Sequence, residues 1–198
     1  MQLPLKYPLT LSFKILALAP QLTVRDANGN VIVYVRQKLL KLKESVTVFG
    51  DEAQTQPLFN INADRVIDWS AKYNFSEQSG KQIGAIQRKG MRSLWKARYD
   101  IIEGQTVDMH IEEENGWVKV MDGFFGEIPI LGMLSGYLFH PVYLMNDTSG
   151  KMVMRMEKQS AFFEGVFLIE KHSEMDSEDE KVALLSYMMM LLLERRRG

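Results

Sequence analysis

Twelve consecutive residues, VALLSYMMMLLL (182–193), carry no charge, and their only polar groups are the hydroxyls of Ser186 and Tyr187. Leu, Met and Ala are strong helix formers, and neither Gly nor Pro interrupts the run. Asp176, Glu178, Asp179 and Glu180 precede it; Glu194 and three arginines at 195–197 follow it. Acids at the start and bases at the end match the helix macrodipole, so the pattern predicts a helix over 181–194. Such a helix is apolar on every face and has to be enclosed. It falls short of the roughly 20 residues that cross a membrane. The enclosure must therefore come from protein, and the flexible side chains of Met188, Met189 and Met190 suit an irregular interior. Docking of this helix into a neighbouring subunit is the alternative.

The rest of the chain reads mostly as strands. NVIVYV (30–35), SVTVF (45–49), LWKARYDI (94–101), VDMHI (107–111), WVKVM (117–121) and VFLIE (166–170) are rich in β-branched and aromatic residues. In 94–101, Trp95, Ala97, Tyr99 and Ile101 share one face, and Lys96, Arg98 and Asp100 share the other. One face toward a core and one toward water is the expected arrangement. DANGN (26–30), EQSGK (77–81), EENGW (113–117) and NDTSGK (146–151) place Asn, Asp or Ser just before a Gly, as tight hairpins require. A faint repeat links them. A shift of 121 residues lays Asp26 on Asp147, Gly29 on Gly150 and Ile32 on Val153; a shift of 51 lays Gly29 on Gly80, Ile32 on Ile83 and Val48 on Tyr99. That spacing is wrong for a solenoid and right for successive hairpins. In one domain over 1–198, the economical enclosure for the helix is a sheet curled around it.

Composition narrows the functional classes. With 198 residues the chain suffices for one ordinary domain and needs no disulfide or metal to fold. It has no Cys, which excludes a disulfide framework, a thiolate nucleophile and Cys-ligated zinc. The formal net charge of −1 argues against a dedicated nucleic-acid binder. The stretch at 9–19 has the outline of a secretory core, but Lys14 interrupts it and Pro4, Pro8 and Pro20 favour an extended segment. The uncharged run at 128–145 contains Pro129, Gly132, Gly136, His140 and Pro141, so buried strands and turns suit it better than a membrane span.

The stretches 26–49, 80–101 and 155–171, followed by the terminal helix, resemble in their order the tubby C-terminal-like superfamily, and specifically its LURP-one-related branch. The resemblance implies a mainly β fold: a closed antiparallel barrel of about twelve strands around a central hydrophobic C-terminal helix. Relatives in that superfamily include tubby proteins, which bind phosphoinositides, and phospholipid scramblases.

No HExxH, GxSxG or Walker-type pattern occurs, and nothing around His110, His140 or His172 suggests geometry with a nucleophile, so a non-enzymatic protein without cofactors is expected. Basic stretches are the most suggestive feature. Arg36, Lys38, Lys41 and Lys43 fall within eight residues, and Arg88, Lys89 and Arg92 belong to a stretch from 78 to 99 that contains no acid. Residues of this kind attract anionic phospholipid headgroups at roughly 1 kcal/mol each near a membrane surface. These seven are the candidate lipid-binding residues. The alternative is a solvated polar face. In 174–180, Asp176, Glu178 and Glu180 are a weak calcium candidate, but Lys181 stands where the turn Gly of an EF-hand belongs. The expectation is a cytoplasmic protein that meets the membrane peripherally, with a scramblase-like lipid handler and a protein-interaction module using a sheet edge as alternatives.

Overall fold

The computed structural model describes residues 3, 5–14, 21–36, 45–65, 71–89, 98–114, 141–161 and 164–195. The strands are β1 (Leu9–Lys14), β2 (Gln21–Arg25), β3 (Val31–Arg36), β4 (Ser45–Phe49), β5 (Pro57–Ala63), β6 (Lys72–Glu77), β7 (Gln82–Lys89), β8 (Arg98–Glu103), β9 (Thr106–Glu113), β10 (Val142–Asp147), β11 (Met152–Gln159) and β12 (Glu164–Lys171). One helix follows them, α1 (Ser177–Arg195). The strands form a closed antiparallel barrel in which neighbours in sequence are neighbours in space, and β1 pairs with β12 to complete the circle.

The strand period of two decides what lines the interior. Val33 and Val35, Val46 and Val48, Phe59 and Ile61, Tyr73 and Phe75, and Tyr99 and Ile101 are all buried on the inner face. They surround α1, of which every residue from Val182 to Leu192 is buried. An all-apolar helix inside a sheet closed on itself satisfies both elements at once: the helix loses all contact with water, and the sheet has no free edge to protect. Gly84 of β7 allows a close approach of the helix to the wall. A Cβ built there would lie 2.8 Å from Cγ1 of Val182.

The faint repeat is a real structural equivalence. The turns β2–β3, β6–β7 and β10–β11 share one design. In each, the carbonyl of the residue after the Gly accepts from the N–H of the residue four back (Asn30 from Asp26, Lys81 from Glu77, Lys151 from Asp147), and the Gly N–H donates to the carbonyl of that same earlier residue. Gly29, Gly80 and Gly150 all have φ of 83–85°, the left-handed region that closes a type I turn with a bulge. The ladder shifts register beside each turn. Ile32, Ile83 and Val153 occupy matching outward positions, and Val48, Tyr99 and Ile169 matching inward ones.

Register fixes which residues share an end of the barrel. The hairpin turns after β2, β4, β6, β8 and β10 lie at one end, with the start of α1. Lys14, Arg36, Ala63, Lys72, Lys89, Arg98, Glu113, Val142 and the end of α1 lie at the other, here called the rim.

Several expectations shift. Of the predicted strand at 94–101, 94–97 lie outside the described residues and the rest opens β8; that at 107–111 extends over Thr106–Glu113, and that at 117–121 lies outside the described residues. Most of the 128–145 run also lies outside them, and its end enters β10. Asp100 is on the outer face as expected, yet it is buried rather than wet, because Lys89 and Arg98 close over it at 3.8 and 3.3 Å.

Candidate functional site

Arg36 ends β3 and Lys89 ends β7, both exposed and both at the rim. Four strand spacings separate β3 from β7, about 19 Å along the sheet. The two basic stretches therefore leave from one end of the molecule but not from one spot. Lys38, Lys41, Lys43 and Arg92 lie outside the described residues. The rim adds three cations that the candidate set omitted: Lys14 at the end of β1, Lys72 at the start of β6 and Arg98 at the start of β8. Asp64, Glu114 and Glu164 are there too, with Arg65 held 3.4 Å from Asp64. The turn end has the opposite character, gathering Asp26, Asp51, Glu52, Glu77, Glu103, Asp147 and the acids that open α1.

Arg88 differs from its neighbour. It continues the inward phase of Gly84 and Ile86, so it points into the barrel mouth and is only 8% exposed. Its Nε lies 4.0 Å from Oε1 of Glu194 in the last turn of α1. The Tyr99 hydroxyl donates to the same carboxylate oxygen at 2.5 Å. Tyr143 and Glu113, facing each other across the β9–β10 ladder, complete this buried polar layer. Burial, with the charges of Glu113 and Glu194, pushes the Tyr143 phenol above its ordinary value. Arg88 thus fastens the end of the helix and is not presented to a surface.

At the turn end the proposed calcium set is dispersed. Oδ1 of Asp176 accepts from the N–H groups of Glu178 and Asp179 at 2.8 and 2.9 Å and so caps α1. Glu178 binds buried Lys181, whose ammonium holds the Glu178 carboxyl below its usual range. Glu180 takes Lys171 at 2.6 Å. Three other carboxylates meet instead. Oxygens of Glu103 (β8), Asp108 (β9) and Asp179 (α1) lie within 4.8 Å of one another. Burial, then the charges of Asp176, Glu103 and Asp108, pushes Asp179 up to about 6. Burial and the charge of Asp108 raise Glu103 as well. Sequence spacing could not show this triad, because its members come from three elements; only the β8–β9 register brings two of them together. On the outer wall beside it, Ile83, Ala85 and Ile102 floor a shallow cavity of about 310 Å³, with Lys72 and Lys81 at its margin.

Among the described residues, no helix is long and apolar enough to cross a membrane. No curated protein matches the chain in sequence. Two solved structures resemble it. An X-ray structure of a protein from Arabidopsis thaliana is 11% identical with a TM-score of 0.47, the match covering 94% of this chain and 93% of that one. A porin-like protein from Bacteroides uniformis is 8% identical with a TM-score of 0.23, covering 87% and 98% respectively. The family model described as LURP-one-related matches residues 8–119, more than half of the chain and the whole wall from β1 to β9. On that match, the chain belongs to the LURP-one-related family.

Proposed function

We propose that this barrel is a non-enzymatic module that associates with anionic phospholipid headgroups at a membrane surface, rim first. The observation that carries the reading is the gathering of Lys14, Arg36, Lys72, Lys89 and Arg98 at one end, while the acids of the hairpin turns and the helix start collect at the other. A molecule polarised along its axis meets a negative surface in one orientation. At roughly 1 kcal/mol per basic residue near such a surface, and allowing for the carboxylates of Asp100, Glu114 and Glu164 beside the five cations, the rim supplies about 2 kcal/mol at low salt. This falls steeply once the Debye length shortens to about 8 Å. The apolar helix is enclosed by the wall, so the reading does not use it as an acyl-chain contact.

The test is co-sedimentation with vesicles of phosphatidylcholine alone and of phosphatidylcholine with 30 mol% phosphatidylserine, roughly the charge density of a cytoplasmic leaflet. Lys14→Glu, Arg36→Glu and Lys72→Glu together should lower binding to the anionic vesicles about a hundredfold. Lys6→Glu, Lys81→Glu and Lys151→Glu, which change the net charge equally at the turn end, should lower it far less. Equal losses in the two triple variants, or equal binding to both vesicle types, would refute the proposal.

A further inference from the structure

The three bulged hairpins offer an internal comparison. The fifth residue after each turn glycine points outward from its strand: Tyr34 in β3, Ala85 in β7 and Arg155 in β11. Its cross-strand neighbours on the outer face are Thr23 and Phe49 in the first hairpin, Asn74 and Ile102 in the second, and Leu144 and Glu170 in the third. Two of these rungs are filled. Tyr34 is only 5% exposed. Arg155 pairs with Glu157 at 2.6 Å and with Glu170 at 3.6 Å. In the second rung the central residue is an alanine, and here the wall carries its cavity of about 310 Å³. The floor is apolar and recessed, since Ile83 and Ala85 face outward and are nevertheless buried. That volume stands at the lower end of small-molecule sites, about 300–1,000 Å³.

We propose that this recess binds a small aromatic carboxylate, its ring over Ala85 and its acid group toward Lys72. A strand surface floored by Ile83, Ala85 and Ile102 suits a planar apolar group, and the equivalent rung in β3 carries one, the phenol ring of Tyr34 beside Phe49. The charges select the acid. At the turn end of the recess, Glu178 is taken by Lys181 and Lys81, and Glu103 shares a hydrogen bond with Asp179. At the rim end, Lys72 forms no ion pair among the described residues. Asn74, on the same face of β6, brings an amide that can donate to a second carboxylate oxygen. An anion is therefore favoured beside Lys72 and opposed beside the two glutamates, which orients the ligand and disfavours a dianion. The recess lies on the outer wall and needs no membrane, so it stands apart from the rim proposal.

Backbone amide NMR titration of the full chain, without lipid, tests this with 3-phenylpropionate as probe and 3-phenylpropanamide as its neutral counterpart. The acid should saturate with a Kd of about 1 mM or tighter, shifting the amides of Asn74, Ala85 and Ile102. The amide should bind about tenfold more weakly, because it lacks the charge-assisted contact with Lys72. Ala85→Tyr fills the recess as Tyr34 fills its own rung, and should abolish binding of both probes while leaving binding to anionic vesicles as it was. Lys72→Gln, which keeps most of the stem, should weaken the acid about tenfold and leave the neutral probe unchanged. The proposal is overturned by the absence of saturable binding, by equal affinity for the two probes, or by shifts confined to residues elsewhere. Full affinity for the acid in folded Ala85→Tyr, or in Lys72→Gln, overturns it too. Failure of the parent chain to bind anionic vesicles, with the acid still bound at Ala85, would refute the rim reading and support this one.

Discussion

Replacing Gly84 with alanine adds a single methyl group to a strand, where alanine is ordinarily the better residue. Removing the conformational freedom of a glycine stabilises a compatible site by about 0.4–1 kcal/mol. Here the sign should reverse. The new Cβ would stand 2.8 Å from Cγ1 and 3.0 Å from Cγ2 of Val182, with the carbonyl oxygen of Ile102 at 3.4 Å on its other side. Carbon atoms prefer about 3.5–4.0 Å, so β7 and the first buried turn of the helix must separate by several tenths of an ångström. Val182 is β-branched and has little rotameric room to retreat. Overpacking of this kind costs about 1–3 kcal/mol. We expect Gly84→Ala to lose about 2 kcal/mol, a fall of roughly 4–8 °C in Tm for a chain of this size. The decisive measurement is a double-mutant cycle with Val182→Ala in urea. Val182→Ala alone should cost about 2 kcal/mol through lost burial. The double variant should then be less destabilised than the sum by at least about 1 kcal/mol, because each substitution removes the other's fault. Additivity within about 0.5 kcal/mol, or a Gly84→Ala protein as stable as the parent, would mean that the helix does not press on β7, and the account of how the core is filled would fail.

Two further substitutions probe the two ends of the helix. Asp179 keeps its proton up to about 6 in the folded protein against an ordinary 3.8, so the native state binds the extra proton and stability declines as pH rises through that window. Asp179→Asn should therefore raise Tm at pH 7.5 and not at pH 4; screening of a half-buried group and the lost helix-dipole attraction reduce the gain to about 1 kcal/mol. Calorimetry showing the same change at both pH values would contradict the triad's strain. At the rim, Arg88→Met should cost about 2–4 kcal/mol by leaving the Glu194 carboxylate without its guanidinium, whereas exposed Arg36→Met should stay within about 0.5 kcal/mol. Equal urea midpoints for the two variants would place Arg88 at the surface after all.

The architecture was legible because one segment left no choice. Residues 182–193 cannot face water in any orientation, and the turn motifs at 26–30, 77–81 and 146–151 announced hairpins enough to surround them. Less legible were β5 and β6. Their inward residues, Phe59 and Ile61 and then Tyr73 and Phe75, alternate correctly, but Pro57, Asn60, Asn62 and Asn74 dilute the β propensity that would have drawn attention to them. Arg88 shows a different failure. Charge density grouped it with Lys89, while parity from Ile86 already assigned it to the interior, and in a strand the parity wins. The Glu103–Asp108–Asp179 triad could not be read at all, since it depends on register between strands and not on any local pattern.

Chain order and spatial nesting run in opposite senses in this molecule. The last element to appear along the chain, α1, is the innermost, and the first strand meets the twelfth to seal the cylinder around it. A polypeptide stopped between Lys171 and Ser177 would possess every stave of the cask and nothing to fill it. Such a truncation is no smaller version of the protein: its inner valines and phenylalanines would have only one another to turn to, and collapse or self-association would follow.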